Sequence, residues 1–400
     1  MKITHIHIER FRGFQNEDFE VGSLLTAIAG QNGTQKSTLL GIITQTFTLK
    51  TEDSMRVEKP LCGGSYISAF KDKFRLSPTF DKPKGHEWTI SFDAGMDDFT
   101  VESIKRTGDP NVRFWKKGAR QEGDGYISFP TIFLSLKRLV PVAEEAKIIT
   151  DDTLLTQEEL NEFKQLHNKI LIAQTPISSA TTITSKNKQS IGVSTELYDW
   201  NQNSMGQDNL GKIILALFSF KRLHDKYPRQ YKGGILAIDE MDATMYPASQ
   251  VELLKVLRKY ASKLNLQILF TTHSMSLLKA MDDLVQEVTK KEETANQAKI
   301  LYLKKVDDKI AIKQGVNFKG IQLDLNVVAE GNNRKKNRIT AYTEDKENIL
   351  FVKAILKSKA FVLDFVDVTL PCSTLMELVT KRVPAFIYPY SIVILDGDVR

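Results

Sequence analysis

Residues 30–37 have the types and spacing of a phosphate-binding loop. Their sequence, Gly-Gln-Asn-Gly-Thr-Gln-Lys-Ser, lies between a stretch that reads as a strand and one that reads as a helix. At such a junction, backbone N–H groups and the helix dipole cradle phosphates. Lys36 would reach the outer phosphates and the Ser37 hydroxyl would bind Mg²⁺. The alternative is a Gly/Asn turn that precedes a helix and holds a Lys-Ser pair by chance.

Gln35 is the one departure from the GxxxxGK[ST] pattern, because it stands where the second glycine belongs. Glycine adopts positive φ without strain and lets the backbone approach a ligand closely, and glutamine does so less well. We therefore expect phosphate binding that is weakened or reshaped relative to the full pattern.

A second cluster follows the apolar run 234–238, where Asp239 and Glu240 end a predicted strand. Two adjacent carboxylates at the end of a buried strand are costly unless they bind a cation or a ligand. Asp239 would hold Mg²⁺ through water, and Glu240 would polarise an attacking water as general base. A strand that simply ends at the surface is the alternative.

Two shorter signals complete the first constellation. Residues 204–208, Ser-Met-Gly-Gln-Asp, open a predicted helix, although such a start is equally typical of a plain N-cap. Residues 269–274 read as a strand that ends in His273, and Asp242 lies just after the paired acids. The order and spacing of these motifs carry more weight than any one of them.

The C-terminal part holds a third group of acids. Glu344 follows one predicted strand, and Asp396 and Asp398 follow another as Asp-Gly-Asp. Acids at the carboxyl ends of parallel strands meet at one rim of a sheet. One Glu and two Asp there would hold Mg²⁺ or Mn²⁺ for phosphodiester cleavage. The alternative is a turn that merely closes a strand.

The elements that must position these groups alternate along the chain, which indicates an α/β fold with a parallel sheet. A capping box at Thr156 and Glu159 supports one helix, and the basic stretch 331–338 marks a boundary between domains 1–330 and 331–400. The predicted strands are 3–8, 24–29, 235–238, 266–270, 300–303, 310–312, 339–342, 361–368 and 391–395, with short strands over 86–135; the predicted helices are 39–47, 142–172 (a helical insertion of about 142–190 whose residues 174–190 read as a loop), 208–227, 247–264 and 349–357.

Composition narrows the class of protein. The chain has 400 residues, 42% hydrophobic and 26% charged, which is typical of globular domains and excludes wholesale disorder. It contains no run of about 18 apolar residues and no signal peptide, so we expect no membrane span. Only Cys62 and Cys372 are present, which excludes a disulfide framework and fits a reducing cytoplasm. The net charge of +6 permits nucleic-acid binding without demonstrating it.

One basic stretch has aromatic residues interleaved. Lys105, Arg106, Arg113, Lys116, Lys117 and Arg120 surround Phe114 and Trp115. The stretch would contact phosphates and stack bases, or it is the solvated face of a β-hairpin, which we favour. Arg334, Lys335 and Lys336 would guide DNA or form a charged linker.

With these motifs, residues 1–325 resemble the ABC-type ATPases of the SMC, RecF and OLD (overcoming lysogenization defect) group. Residues 8–14, Ile-Glu-Arg-Phe-Arg-Gly-Phe, are similar to the N-terminal strand and turn of that group. The resemblance implies two ATP molecules between head-to-tail subunits of a homodimer or higher oligomer. Lys36 and Glu240 of one subunit would face Ser204 and Gly206 of the other, and His273 would contact the γ-phosphate. Gln121 and the segment Leu136–Leu139 are the candidates for the Q-loop. The implied ATP-site residues are Gly30, Asn32, Gly33, Lys36, Ser37, Thr38, Ser204, Gly206, Gln207, Asp239, Glu240, Asp242 and His273.

The C-terminal acids resemble a Toprim domain, which follows the ATPase in the OLD family. Glu344 matches the first-strand acid, and Asp396 and Asp398 match the DxD pair. Asp345 and Glu347 depart from the pattern, and the chain stops soon after the DxD pair, so this α/β domain reads as partial.

Three functions remain open from the sequence. The first is an ATPase that regulates a Toprim endonuclease acting on DNA, a combination the resemblance links to antiphage defence. The second is a nucleotide-switched sensor or scaffold with an inactive Toprim remnant that holds a separate effector protein. The third is a RecF-like DNA repair ATPase.

Overall fold

The chain divides between Leu323 and Asp324 into a larger unit with the phosphate loop and a smaller unit with the C-terminal acids. The computed structural model describes residues 1–66, 70–93, 95–105, 112–119, 125–140, 148–151, 154–185, 189–329, 339–388 and 391–396. None of the helices in these ranges is long and apolar enough to cross a membrane.

Strands and helices alternate through most of the described chain. The strands are β1 Ile3–Phe11, β2 Phe14–Glu20, β3 Leu25–Gly30, β4 Phe47–Thr48, β5 Glu87–Phe92, β6 Phe99–Lys105, β7 Val112–Lys116, β8 Ile127–Ser128, β9 Thr131–Leu134, β10 Ile149–Asp151, β11 Ser179–Thr184, β12 Gln189–Ser194, β13 Gly234–Ile238, β14 Leu266–Thr271, β15 Ala298–Val306, β16 Lys309–Lys313, β17 Ile339–Thr343, β18 Leu363–Phe365 and β19 Ser391–Ile394. The helices are α1 Lys36–Thr44, α2 Phe70–Lys73, α3 Gln157–Leu171, α4 Met205–Lys226, α5 Pro247–Lys263, α6 Met275–Val288, α7 Phe318–Ala329, α8 Lys346–Leu356 and α9 Cys372–Thr380.

A six-stranded sheet in the order β16-β15-β3-β14-β13-β9 carries the motifs of the larger unit. Every pairing is parallel except that of β15 with β16. Every residue of β3, β13 and β14 is buried, as expected for interior parallel strands covered on both faces. In register, Thr271 pairs with Ile28, and Ile238 pairs with Phe270 and Leu134, so these carboxyl ends meet at one edge.

The antiparallel sheet β2-β1-β5-β6-β7 shares a hydrophobic core with α1 and the parallel sheet. Buried positions alternate along β1 because one face packs inward, as in a half-buried strand. Gln267 in β14 joins the two sheets: its amide accepts from Ile3 N (2.7 Å) and donates to the carbonyls of Ile3 (2.8 Å) and Gly22 (3.0 Å). The phosphate loop therefore stands on a core that both sheets support.

The prediction of a helical insertion over residues 142–190 is wrong in two places. The predicted helix 142–172 begins only at Gln157, and Ile149–Asp151 is a strand; residues 141–147 lie outside the described ranges. The predicted loop 174–190 contains most of the hairpin of β11 and β12. Its outward positions carry Ser, Thr and Gln, which hid the alternation, although threonine is a good strand former. The capping box of Thr156 and Glu159 is confirmed.

The smaller unit contains a parallel sheet in the order β18-β17-β19 with α8 and α9. The predicted strand 361–368 is shorter than expected, since only Leu363–Phe365 pairs. Thr343 pairs with Ile394, so the residues that follow β17 and β19 emerge side by side.

His167 is a buried histidine of α3. Only 2% of it is exposed, it lies 5.8 Å from the Phe163 ring, and neither ring nitrogen has a hydrogen-bond partner among the described residues. Burial lowers the pKa of His167 to about 4. At pH 6.5, where an exposed histidine is half protonated, the folded chain therefore keeps the His167 imidazole neutral.

We expect His167 to weaken the fold in acid. Between pH 6.5 and 4 the unfolded chain binds a proton that the folded chain refuses, so the free energy of unfolding falls as pH drops, by about 3 kcal/mol in all. Urea unfolding at pH 7 and pH 4 should show a smaller loss for His167→Leu than for the wild type. The partly exposed His224 supplies the control His224→Leu, expected to follow the wild type. Equal losses in wild type and His167→Leu would contradict this account.

Candidate functional site

The phosphate loop joins β3 to α1 through three residues with positive φ. Gly30 (φ 150°) and Gly33 (φ 79°) take conformations that favour glycine. A Cβ on Gly30 would lie 2.4 Å from the Leu303 carbonyl oxygen, so a side chain would displace β15. Asn32 is exposed in the loop, and Thr38 is half-buried in the first turn of α1.

Gln35 takes the left-handed conformation (φ 62°, ψ 33°) that the pattern reserves for glycine. This costs a non-glycine residue roughly 1–2 kcal/mol, yet α1 still begins at the next residue. Its amide packs against the turn after β1, since a Cβ on Gly13 would lie 2.8 Å from Gln35 Nε2. Gln35 Oε1 is buried without a hydrogen-bond partner among the described residues. The loop therefore keeps its shape with glutamine, at a cost in strain.

Lys36 is 8% exposed and holds the loop closed. Its Nζ donates to the carbonyls of Gly30 (3.1 Å) and Gln31 (2.9 Å). Burial lowers the pKa of Lys36, against the pull of the nearby carboxylates of Glu240, Asp239 and Asp242. A cation thus stands at the loop, placed to neutralise a bound anion.

Asp239 is the meeting point of three elements. Its Oδ1 accepts hydrogen bonds from Ser37 Oγ (2.9 Å) at the start of α1 and from Thr271 Oγ1 (2.7 Å) at the end of β14. The residue is only 5% exposed. The sequence predicted that Ser37 and Asp239 would meet, and the structure brings them together. Thr271 was not foreseen, because a threonine that ends a strand has no distinguishing signal.

Glu240 follows in a left-handed conformation (φ 48°). Its N–H donates to Thr271 Oγ1 (2.6 Å), and its carbonyl accepts from Arg138 Nη2 (2.8 Å), so the backbone is fixed on both sides. Strained backbone of this kind is characteristic of functional sites. The half-buried Glu240 side chain makes no hydrogen bond among the described residues.

His273 lies beyond β14, where its N–H meets Asp242 Oδ1 at 3.4 Å. Burial and the Lys36 charge lower the pKa of His273, so the imidazole is neutral at pH 7. The charges of Asp242 and Lys36 thus both act on His273, so the three residues lie near one another.

Arg138 connects the site to α4 and is 2% exposed. Besides Glu240 it donates to Asn209 Oδ1 (2.7 Å) and to the carbonyls of Leu134 (3.3 Å) and Ser135 (3.1 Å). Burial lowers the pKa of Arg138 to about 10, so it stays charged at pH 7. The sequence pointed to the segment Leu136–Leu139 as a Q-loop candidate without singling out this arginine. The other candidate, Gln121, lies outside the described residues.

Residues 204–207 form the N-terminus of α4 and make a capping box. Ser204 Oγ accepts from Gln207 N (3.4 Å), and Gln207 Oε1 accepts from Ser204 N (2.8 Å). A Cβ on Gly206 would lie 2.6 Å from the Thr244 carbonyl oxygen. Within one chain these residues thus have local roles, and the described residues show no hydrogen bond from Ser204 or Gly206 to the phosphate loop.

The C-terminal acids are only partly in view. Glu344 and Asp396 follow the adjacent strands β17 and β19, and Glu344 Oε1 accepts from Cys372 N (3.3 Å). Asp345 caps α8 by accepting from Asn348 N (2.9 Å). Asp398 lies outside the described residues. Among those described, no group of three His, Cys, Asp or Glu is arranged to hold a metal ion.

The aromatic residues of the basic stretch are part of the core. Phe114 is 3% and Trp115 7% exposed, and Arg113 covers the Trp115 ring at 4.1 Å. Neither ring is open to a nucleobase, so the solvated-face interpretation of this stretch is the better one. Arg106, Arg120 and the linker basics 334–336 lie outside the described ranges.

Comparisons with known proteins can be set beside this geometry. A family model described as an AAA ATPase domain matches residues 136–278. No curated protein gives a match. Among solved structures, the SMC head domain from Thermotoga maritima is 13% identical (79% of this chain, 100% of that one, TM-score 0.42). An Smc head bound to the C-terminal winged-helix domain of ScpA is 14% identical (80% and 100%, TM-score 0.46). An Smc head with an extended coiled coil, bound to the C-terminal domain of ScpA derived from Pyrococcus furiosus, is 14% identical (82% and 99%, TM-score 0.43).

The family match covers α4, the two acids after β13 and His273, and the phosphate loop stands beside them in space. The match indicates an AAA ATPase domain over residues 136–278, and these residues lie with the phosphate loop in the mixed α/β fold of the larger unit.

Arg138→Lys should separate turnover from nucleotide affinity. Lysine keeps the charge but loses the planar fork, so the bond to the Glu240 carbonyl is lost and Glu240 is free to shift. A charged hydrogen bond contributes about 1.5–3 kcal/mol, so we expect kcat for ATP hydrolysis to fall about tenfold or more with Kd for ATP unchanged. Arg258 is partly exposed, pairs with Glu287 away from the site and gives the control Arg258→Lys. A parallel loss of affinity would argue against a positioning role.

Proposed function

We propose that this chain is an ABC-type ATPase of the SMC, RecF and OLD kind that regulates a Toprim-type DNA endonuclease in antiphage defence. The ATPase part is carried by one observation, the 2.9 Å hydrogen bond between Ser37 and Asp239. These two side chains come from motifs far apart in the chain, and both are ligands of the type that Mg²⁺ prefers.

ATP with Mg²⁺ fits the residues present. The loop offers backbone N–H donors at the start of α1, an ammonium group, and a hydroxyl beside a carboxylate. Bound ATP supplies the phosphoanhydride that is broken. Lys36 would neutralise phosphate charge, and Ser37 and Asp239 would hold Mg²⁺. Glu240 would take a proton from water, and the neutral His273 would contact the γ-phosphate.

A second copy of the chain would complete the site. Ser204 and Gly206 stand at the N-terminus of α4, whose positive end favours an anion, but they make no hydrogen bond to their own phosphate loop in the described residues. Met205 (41% exposed) and Leu197 (80%) leave apolar surface beside this end. We infer a head-to-tail homodimer, or a higher oligomer, with ATP between the heads.

The nuclease part rests on the adjacency of β17 and β19. Their register puts Glu344 and Asp396 at neighbouring strand ends, where Asp398 would add a third carboxylate. Such a set would bind Mg²⁺ or Mn²⁺ and activate water against a DNA phosphodiester.

One observation favours the second candidate, a nucleotide-switched scaffold that holds a separate effector protein. Glu344 Oε1 is already engaged by the Cys372 N–H at 3.3 Å. The third candidate, a RecF-like repair ATPase, would need only the larger unit.

Glu240→Gln should stop turnover while preserving ATP binding. The amide is nearly isosteric with the carboxylate but cannot accept a proton, so we expect kcat to fall about 10²–10⁴-fold. If heads dimerise around ATP, the variant should also accumulate as an ATP-bound dimer in size-exclusion chromatography. The exposed Glu293 gives the control Glu293→Gln. Unchanged turnover in Glu240→Gln would remove Glu240 as the general base.

Asp396→Ala with Asp398→Ala should abolish DNA cutting, by at least about 100-fold, and leave ATP hydrolysis unchanged, because only the metal carboxylates are lost. The full chain would be assayed on plasmid and linear DNA with Mg²⁺ or Mn²⁺, with and without ATP. Asp364→Ala with Asp367→Ala removes the same charge from exposed positions of the same unit and serves as control. No cutting by the wild type, with ATPase intact, would favour the scaffold.

A further inference from the structure

A cavity of about 680 Å³ lies at the end of β1, within the size range of small-ligand pockets. Its lining includes Arg10, Arg12, Arg75, Phe80, Asp81 and His86. No residue of the phosphate loop lines it, so it is separate from the residues assigned to ATP.

The one carboxylate in this lining is already neutralised. Asp81 is 4% exposed and accepts from Arg12 Nε (3.0 Å), Arg12 Nη2 (2.9 Å) and Ser77 N (2.8 Å), with His86 Nε2 at 3.1 Å. These partners hold the pKa of Asp81 at about 2. Asp81 therefore orders the wall of the cavity and does not repel an anion.

Positive charge remains beside this pair. Arg10 donates to Glu87 Oε2 (2.7 Å) and to the Lys84 carbonyl (3.0 Å), with Glu9 Oε1 3.9 Å from its Nη1. Lys117 also donates to Glu87 (2.5 Å), so this carboxylate is shared by two cations. Arg75 is exposed, and no carboxylate of the described residues pairs with its guanidinium. The cavity thus offers arginine forks, the groups best suited to phosphate oxygens.

Phe80 stands at this cavity with 86% of its surface exposed. The turn that carries it is fixed, since Asp81 N donates to Ser77 O (2.8 Å) and Phe80 N donates to Ser77 Oγ (3.4 Å). An aromatic ring held in water on an ordered turn, beside arginines, has the features of a base-stacking platform. By contrast, the rings of Phe114 and Trp115 are buried.

We propose that this arginine pocket binds single-stranded nucleic acid, with phosphates on Arg10 and Arg75 and one base stacked on Phe80. A single strand is favoured over a duplex because duplex bases are stacked on each other and offer no free face to a protruding ring. The inference goes beyond the proposed function, since it needs neither ATP turnover nor metal-dependent cutting.

The test measures binding of a fluorescein-labelled oligothymidylate to the full chain by anisotropy, in EDTA and without ATP. Phe80→Ala should raise Kd about tenfold, because stacking on an aromatic side chain contributes on that scale. Arg75→Gln should raise Kd and lower the slope of log Kd against log salt by about 0.7, the share of one phosphate contact on a single strand. Both residues are exposed, so both variants should fold.

Matched controls are Phe351→Ala, another exposed phenylalanine (66%) on α8, and Arg229→Gln, an exposed arginine after α4. Both should bind as the wild type does. Wild-type affinity in Phe80→Ala, or equal binding of a duplex with the same Phe80 dependence, would overturn the proposal. So would competition by thymidine monophosphate as strong as that by the oligomer, which would assign a free nucleotide. A tenfold weaker Kd for ATP in Phe80→Ala would assign the ring to the ATP base instead.

Discussion

The carboxylate of Asp239 imposes the constraint on which the candidate site depends. An ionised carboxylate that is 5% exposed must be met by donors, because burying it alone costs several kcal/mol. The donors are Ser37 from α1 and Thr271 from β14, so one group fixes the phosphate loop against two strand ends. That arrangement requires β14 to lie between β3 and β13 in this register, and the wholly buried strands supply it. A divalent cation at this point would compete for the same hydroxyl and carboxylate.

Charge balance around that carboxylate explains the two buried cations. Asp239, Glu240 and Asp242 place three acids within a few residues, and the charges of all three act on both Lys36 and Arg138. Arg138 is held by neutral partners and by the Glu240 carbonyl rather than by a carboxylate, so the acids keep their capacity for ligands. Asn209 extends the contact by donating to the Ala243 carbonyl (2.9 Å), which joins α4 to the segment after β13. A movement of α4 would therefore shift the Glu240 backbone through these hydrogen bonds.

The sequence predicted those parts of the site whose signals are local. The glycine-rich turn before Lys36 indicates the end of a strand within a few residues. The acids at the end of an apolar run indicate another. Arg138 and Thr271 could not be identified this way, because their roles come from partners about a hundred and about thirty residues away. The hairpin of β11 and β12 was missed for another reason. Its burial comes from packing against α4, which overrode a local composition of Ser, Thr and Gln.

The start of α4 shows why local and intersubunit roles are hard to separate by substitution. Ser204→Ala removes a cap that contributes about 1 kcal/mol, and any side chain on Gly206 meets the Thr244 carbonyl. Loss of activity in either variant would follow from damage within one chain as readily as from loss of a contact across a dimer. Met205 differs, because 41% of it is exposed and its side chain takes no part in the cap. A substitution at Met205 would therefore report on a surface between two heads with less damage within the single chain.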